Sequence, residues 1–239
     1  FEVLLTCLSF DFDEKLERLR REGFAATDIA VLKDELTKIT IKGLTRFSDD
    51  LAKLKILEKN RREILGSNLS KLEKALDLLV ACKDFGILPF AQLARQSFIA
   101  VNFLKTAVAK SIISKAEYDV FFMSINTVAQ QIARDQIAVT AGELDIQAFL
   151  ERYGHLRPGT YEITNPTYAN SNQNLFSQED GHNRLVLTTK GPTKWSKETN
   201  LIMEKSLREL GLNIDIFEFS YFLLATIEGR EYAKFEFTK

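Results

Sequence analysis

From residue 14 to residue 153 the apolar residues recur at steps of three and four, with Lys, Arg, Asp and Glu between them. That is the period of helices that turn one face inward. Leu16 and Leu19 mark a first helix over Glu14–Glu22, with Asp11 or Asp13 available as its cap and Gly23 as its stop. Thr27 is positioned to cap a second helix from near Asp28, through Leu32, Leu36 and Ile39, with a mild interruption at Gly43. Leu44, Phe47, Leu51, Leu54, Leu57, Ile64 and Leu65 then form a seam. A helix over that seam would be roughly 33 Å long. Such a seam fits a helical hairpin, a bundle or an interdomain arm.

Gly66-Ser67-Asn68 reads as a turn, and Leu69–Lys83 as a helix with Leu72, Leu76, Leu79 and Val80 inward. Asp84 to Pro89 reads as a break, because Pro89 suits the first turn of a new helix. That helix runs to about Lys110 through Leu93, Phe98, Val101, Phe103, Leu104 and Val108, and its apolar girth predicts a central position. Ser114-Lys115-Ala116-Glu117 is a capping box. It opens a helix carrying Tyr118, Phe121, Phe122, Ile125, Val128, Ile132 and Ile137. Gln130, Gln131, Arg134, Asp135 and Gln136 fit either a wet face or the lining of a polar cavity. Thr140–Glu143 resembles another capping box, ahead of a helix through Ile146, Phe149 and Leu150. Glu162–Lys194 is the least regular stretch, with Arg184–Thr188 as its one strand candidate and His182 as an exposed loop residue. Ser196 opens a helix closed near Gly211, and a last helix runs from about Ile216 to Phe237. The fold expected is mainly α: a helical bundle with long antiparallel helices and one long irregular loop region. It forms a single unit, with 1–153 and 154–239 as possible sub-lobes.

Composition narrows the function classes. Hydrophobic residues make up 45% and charged residues 27% of the 239, normal for a globular domain. A net charge of −1 argues against bulk affinity for nucleic acid or anionic membrane. There is no basic stripe with interleaved aromatics either. Lys59, Arg61 and Arg62 are offset by Glu58 and Glu63 and read as a solvated face. Cys7 and Cys82 match no metal or redox spacing, which predicts buried free thiols in a reducing, cytoplasmic compartment. No transmembrane run is present. The start lacks Met and a basic flank, and the last helix stops without a cap, so a segment of a longer protein is expected.

Two stretches carry candidate chemistry. Arg152-Tyr153-Gly154-His155-Leu156-Arg157-Pro158-Gly159-Thr160-Tyr161-Glu162-Ile163 has two glycines and a proline within six residues, together with one of two histidines. Protonatable residues coincide there with a backbone that must leave the helix. The plainer reading is a helix end at Tyr153-Gly154 followed by a Pro-Gly turn. In the last helix, Arg230 and Lys234 are four apart and project from one face. They either grip an anion or are neutralised by Glu231 and Glu228.

The runs Tyr153–Ile163 and Arg230–Lys239 resemble the central region of phosphotransferases related to phosphoenolpyruvate synthase. The branch they resemble most is the L-glutamine-kinase-like one of capsule clusters. The chain departs from the family's "YGHRGPGE" pattern, with Leu156-Arg157 for Arg-Gly and Thr160 for Glu. The resemblance implies an ATP-grasp domain and a swivelling phosphohistidine domain in the same polypeptide. ATP, with Mg, phosphorylates the mobile histidine, which then delivers its phosphoryl group to a small acceptor held by this region. This segment itself would bind neither ATP nor metal, and neither of its histidines would be the phosphorylated one. Arg230 and Lys234 would hold the non-bridging oxygens, and His155 would take or share the nucleophile's proton. Arg157, Thr160, Tyr161, Glu162 and Glu231 would bind or orient the acceptor, L-glutamine or a related amide being one candidate. The reading requires His155 and Arg157 to lie near Arg230 and Lys234 at one open cleft. A non-catalytic scaffold or docking module makes no such demand.

Overall fold

The computed structural model describes residues 5–157, 162, 164–171 and 195–239. Among them are nine α-helices: α1 (Phe12–Arg21), α2 (Ala26–Gly66), α3 (Lys71–Cys82), α4 (Leu88–Ala109), α5 (Lys115–Ser124), α6 (Val128–Thr140), α7 (Ile146–Tyr153), α8 (Lys197–Glu209) and α9 (Ile216–Phe237). A π-helical turn, Lys83–Ile87, joins α3 to α4, and a 3-10 turn, Tyr168–Asn170, follows α7. No strand occurs among the described residues. Arg184–Thr188 and His182 lie outside them.

The molecule is a mainly α bundle built on three long helices, α2, α4 and α9. Paired residues give their directions. Gly43 meets Ile99, Asp50 meets Gln96 and Leu57 meets Gly86, so α4 runs antiparallel to α2. Phe103 meets Phe219, Leu93 meets Gly229 and Phe90 meets Phe237, so α4 is antiparallel to α9 as well. Phe47 meets Phe222 and Arg61 meets Glu236, which leaves α2 and α9 parallel. Close approach is bought with glycine: a Cβ on Gly229 would sit 2.5 Å from Leu51 Cδ2, and one on Gly43 would sit 2.8 Å from Ile99 Cδ1. The core between these helices is aromatic, with Phe12, Phe103, Phe219 and Phe222 all fully buried. Phe103 and Phe219 pack edge to face at 5.3 Å. Each such side chain contributes about 1.5–3 kcal/mol by leaving water.

Several boundaries differ from the sequence pattern, each for a local reason. Gly43 does not interrupt anything; α2 is one helix of 41 residues, about 60 Å long. A glycine inside a helix costs only about 1 kcal/mol, and here it admits Ile99. The expected cap Thr27 lies inside α2, whose N-cap residue is Ala25. Asp11 does stand at the N-cap of α1, but its carboxylate accepts from Ser9 Oγ at 2.6 Å and pairs with Lys15 at 2.9 Å instead of capping. Asp84–Pro89 is no break, because the π-helical turn carries the chain straight into α4 with Pro89 in its first turn. The long helix expected after Ser114 is two. It ends at Ser124, Ile125 is extended, and Thr127 caps α6 anew by accepting from the Gln130 amide. Thr140 closes α6, so Thr140–Glu143 opens nothing, and Asp145 stands at the N-cap of α7. The largest departure is α3. Leu72, Leu76, Leu79 and Val80, expected inward, are 55–71% exposed, and α3 buries only Ala81.

Among the polar residues of α6, Gln131 and Asp135 hold α7 from a half-buried, solvent-edged face. Asp135 accepts from Tyr153 Oη at 2.7 Å and from Arg152 at 3.1 Å, and Gln131 Oε1 accepts from Arg152 at 3.1 Å. They bolt α7 to α6. Beneath them a small second core of Phe149, Tyr153 and Phe235 joins α6 and α7 to the end of α9. On the other side Trp195 stacks on Phe121 and donates to Ser220, while Thr199 donates to Glu117, tying α8 to α5 and α9.

Candidate functional site

The two runs singled out in the sequence, nearly eighty residues apart, meet at Phe235. Tyr153 is the last residue of α7 and is fully buried. Its ring lies 4.9 Å from Phe149 and 5.9 Å from Phe235. Burial, then the Asp135 carboxylate, raises its phenol above the ordinary tyrosine range. Gly154 follows at the C-cap with φ −57°, so positive φ is not why glycine stands here. A Cβ would strike the carbonyl of Leu150 and come within 3.1 Å of Ala169. The chain then doubles back. Tyr168 N donates to Leu156 O at 2.8 Å and Ala169 N to Gly154 O at 3.0 Å, clamping the 3-10 turn over the end of α7.

This clamp holds His155 against α9. Its ring centroid is 5.1 Å from that of Phe235, whose carbonyl faces the imidazole. Nε2 is buried and has no hydrogen-bond partner. Burial lowers the ring's pKa to about 4, with the positive charges of Lys239 and Arg61 adding to the effect and the Phe235 carbonyl opposing it. The imidazole is therefore neutral at physiological pH, with an unsatisfied nitrogen. Leaving that nitrogen buried and unpaired costs about 1–3 kcal/mol of desolvation.

Beside the ring lies a charge cluster. Glu236 is 4% exposed. It accepts from Arg61 of α2 at 3.1 Å and from Lys239 at 2.7 Å. One turn earlier on α9, Tyr232 Oη donates to Glu58 at 3.4 Å. Burial, with Glu236 and Glu58 adding, pushes Tyr232 up to about 12. Tyr232 and Glu58 also border an open groove between α2 and α9 of about 620 Å³, lined further by Lys55, Arg62 and Tyr221. That volume suits a small molecule, and the lining offers both signs of charge.

The cations expected beside His155 lie elsewhere on α9. At 100° per residue, Lys234 is about 100° and Arg230 about 140° around the helix from Phe235. The guanidinium of Arg230 sits 5.6 Å from the Phe98 ring and 3.5 Å from Glu231. Glu228 turns instead to the Asn126 amide, at 2.6 Å, and burial raises its pKa. So the two runs converge, while the imidazole takes Lys239 and Arg61 as its cationic neighbours and not Arg230 and Lys234. Arg157 donates to Asn165 O at 3.0 Å, and Glu162 accepts from Thr164. Thr160 and Tyr161 lie outside the described residues.

Arg61, read with Lys59 and Arg62 as part of a solvated face, instead turns inward to the buried Glu236, and Glu236, Lys239 and Tyr232 were given no role in the sequence. A carboxylate flanked by phenylalanines, Phe235-Glu236-Phe237, was the available signal, since such a charge is either exposed or paired. Arg61 gave none, because its partner lies 175 residues away. Among the described residues no group of three His, Cys, Asp or Glu is placed to hold a metal ion, and none of the helices is long and apolar enough to cross a membrane. Comparisons with protein-family models, curated proteins and solved structures return no match.

Proposed function

We propose that this chain is the acceptor-binding helical region of a phosphotransferase of the phosphoenolpyruvate-synthase-related kind. It would work beside an ATP-grasp domain and a swivelling phosphohistidine domain of the same polypeptide in the cytoplasm, with ATP and Mg required only there. The observation that supports this reading is the contact between the two resembling runs, His155 and Tyr153 against Phe235. A helical frame joins them although they are far apart in sequence.

In this reading the neutral His155 orients the acceptor for attack, its Nε2, buried in this structure, accepting from the acceptor's O–H or N–H once the ring shifts to uncover it. Arg61 and Lys239, held by Glu236, balance the charge that develops nearby. Arg230 and Lys234 lie about 100–140° around α9 from Phe235, so in this reading they receive the mobile domain, whose phosphoryl group Arg can grip through two N–H groups, while Arg61 and Lys239 are the cations beside the reacting oxygens. The resemblance would add Arg157, Thr160, Tyr161, Glu162 and Glu231 to the residues that bind or orient the acceptor. The groove with Lys55, Glu58 and Arg62 complements a small zwitterion, which fits L-glutamine or a related amide.

The test uses the full-length enzyme and separates the half-reactions. Arg230→Ala, Lys234→Ala and His155→Gln should each cut transfer to the acceptor while leaving ATP-driven phosphorylation of the mobile histidine intact. Unchanged transfer in all three would end the proposal. The second reading, a docking module without chemistry, is favoured by the exposed apolar face of α3 and predicts no effect in either half-reaction.

A further inference from the structure

The groove beside Tyr232 and Glu58 does not end at Tyr221. A second hollow of about 590 Å³ begins there, and Ser48 and Tyr221 border both. Together they follow the seam of α2 and α9 from Ile41 to Arg62, about 32 Å along α2. The two halves differ in chemistry. The half toward Ile41 is walled by Leu44 and Phe47 of α2 and by Leu212 and Ile214 of the turn before α9. That turn is fixed by the end of α8. Gly211, at φ +76°, donates to Arg208 O at 2.9 Å, and the Leu212 amide donates to Leu207 O at 2.9 Å. The half toward Arg62 carries two cations and one acid. Glu58 is already engaged, lying 3.5 Å from Arg62 and accepting from Tyr232. Lys55 has no ion pair among the described residues. Glu218, exposed and likewise without an ion pair among the described residues, stands at the apolar end.

We propose that this groove binds a single-chain amphiphile with a carboxylate head, an N-acyl amino acid, its head at Lys55 and its chain running past Tyr221 to Ile41. Charge sets the head. With Glu58 engaged, the charge left for a ligand is positive, which suits an amino acid whose amine is capped by the acyl group. Charge also sets the direction, because Glu218 would repel a carboxylate placed at the apolar end. Length sets the chain. Lys55 and Ile41 are fourteen residues apart on α2, about 21 Å, the reach of a long acyl chain. Such a chain would leave water along Leu44, Phe47, Leu212 and Ile214, walls that the turn after α8 already holds apart. The inference rests on the acceptor reading for the amino-acid head alone, and the chain is what it adds.

Isothermal titration of the 239-residue chain with N-dodecanoyl-L-glutamine, below its micelle concentration and without ATP, tests it. A dissociation constant on the order of 10 µM is expected for a ligand of this size. The groove is open on one side and buries about half of each methylene, so the octanoyl analogue should bind about tenfold more weakly. Ile41→Glu should weaken the dodecanoyl ligand about tenfold, and Lys55→Glu about fivefold. An analogue whose carboxylate is replaced by a neutral amide should not respond to Lys55→Glu. Ile41 and Lys55 are both exposed, so neither variant should change the circular dichroism spectrum. No binding up to about 200 µM overturns the proposal, and so does an affinity that ignores Ile41→Glu or Lys55→Glu. Equal affinity for the octanoyl ligand, or for L-glutamine itself, also overturns it, while leaving the acceptor reading in place. Failure of that reading shows elsewhere, as transfer that survives Arg230→Ala, Lys234→Ala and His155→Gln in the full-length enzyme.

Discussion

Replacing His155 with leucine isolates one buried titratable ring and predicts how stability responds to acid. The folded ring takes its proton only near pH 4, against an ordinary 6.5. As pH falls, the unfolded chain binds that proton first, so the ring costs stability between about pH 6.5 and pH 4 and costs none above that window. Each pH unit is worth about 1.4 kcal/mol, which sets a ceiling of about 3 kcal/mol. His155 is only half-buried, and solvent screening reduces the expected loss to about 1–2 kcal/mol. The shorter apolar side chain of the variant would keep the contact with Phe235 and lose the titration. Urea unfolding followed by circular dichroism, at about pH 7.5 and about pH 4.5, gives the comparison. The wild-type chain should lose about 1–2 kcal/mol more than the variant across that interval. The contributions of His182 and the carboxylates are common to both chains and cancel. Parallel losses in the two proteins, or a larger loss in the variant, would refute the assignment of a buried neutral imidazole.

Glu236→Gln leaves Arg61 and Lys239 without their anion. Breaking a buried pair costs about 3–5 kcal/mol, but these side chains keep 17% and 21% of their exposure, so a loss of about 2 kcal/mol is expected in the same urea assay. Gly229→Ala gains about 1 kcal/mol of helix propensity and loses about 1–3 kcal/mol to overpacking against Leu51. Thermal unfolding should therefore show a net loss, most of it recovered by adding Leu51→Val. Burial raises both thiols above their ordinary range. Cys7 is 2% exposed and Cys82 is half-buried, so a thiol reagent should modify Cys82 first and Cys7 only as fast as the chain opens.

The helix period was enough to find the bundle, because α2, α4 and α9 bury continuous stripes and local propensity agrees with tertiary packing. It failed where the two part. On α3 the leucine stripe has the spacing of a buried face, yet the helix lies outside the three-helix core with only Ala81 buried. Periodicity reports that a face seeks a partner, not whether this chain supplies one. Gly43 reads as a weak point until Ile99 is seen against it. At the candidate site, Tyr153, Gly154 and His155 were legible because a glycine and a histidine end a helix together. Their charged neighbours were not. Arg61 looks like one of several surface cations, and only the parallel packing of α2 on α9 assigns it to Glu236.

The unbroken length of α2 links regions that the chain order keeps apart. Its early turns hold the amino-terminal segment, where Thr40 accepts from the Leu8 amide, and its late turns carry Arg61 to the imidazole. A rod of about forty residues in one hydrogen-bonded ladder is stiff and has no joint between those points. A displacement imposed near Leu8 must therefore shift the guanidinium beside His155 as well. The turn at Ser67–Ser70 offers no release, because Lys74 Nζ donates back to Leu65 O and the π-helical turn carries α3 straight into α4, so α3 travels with the rod.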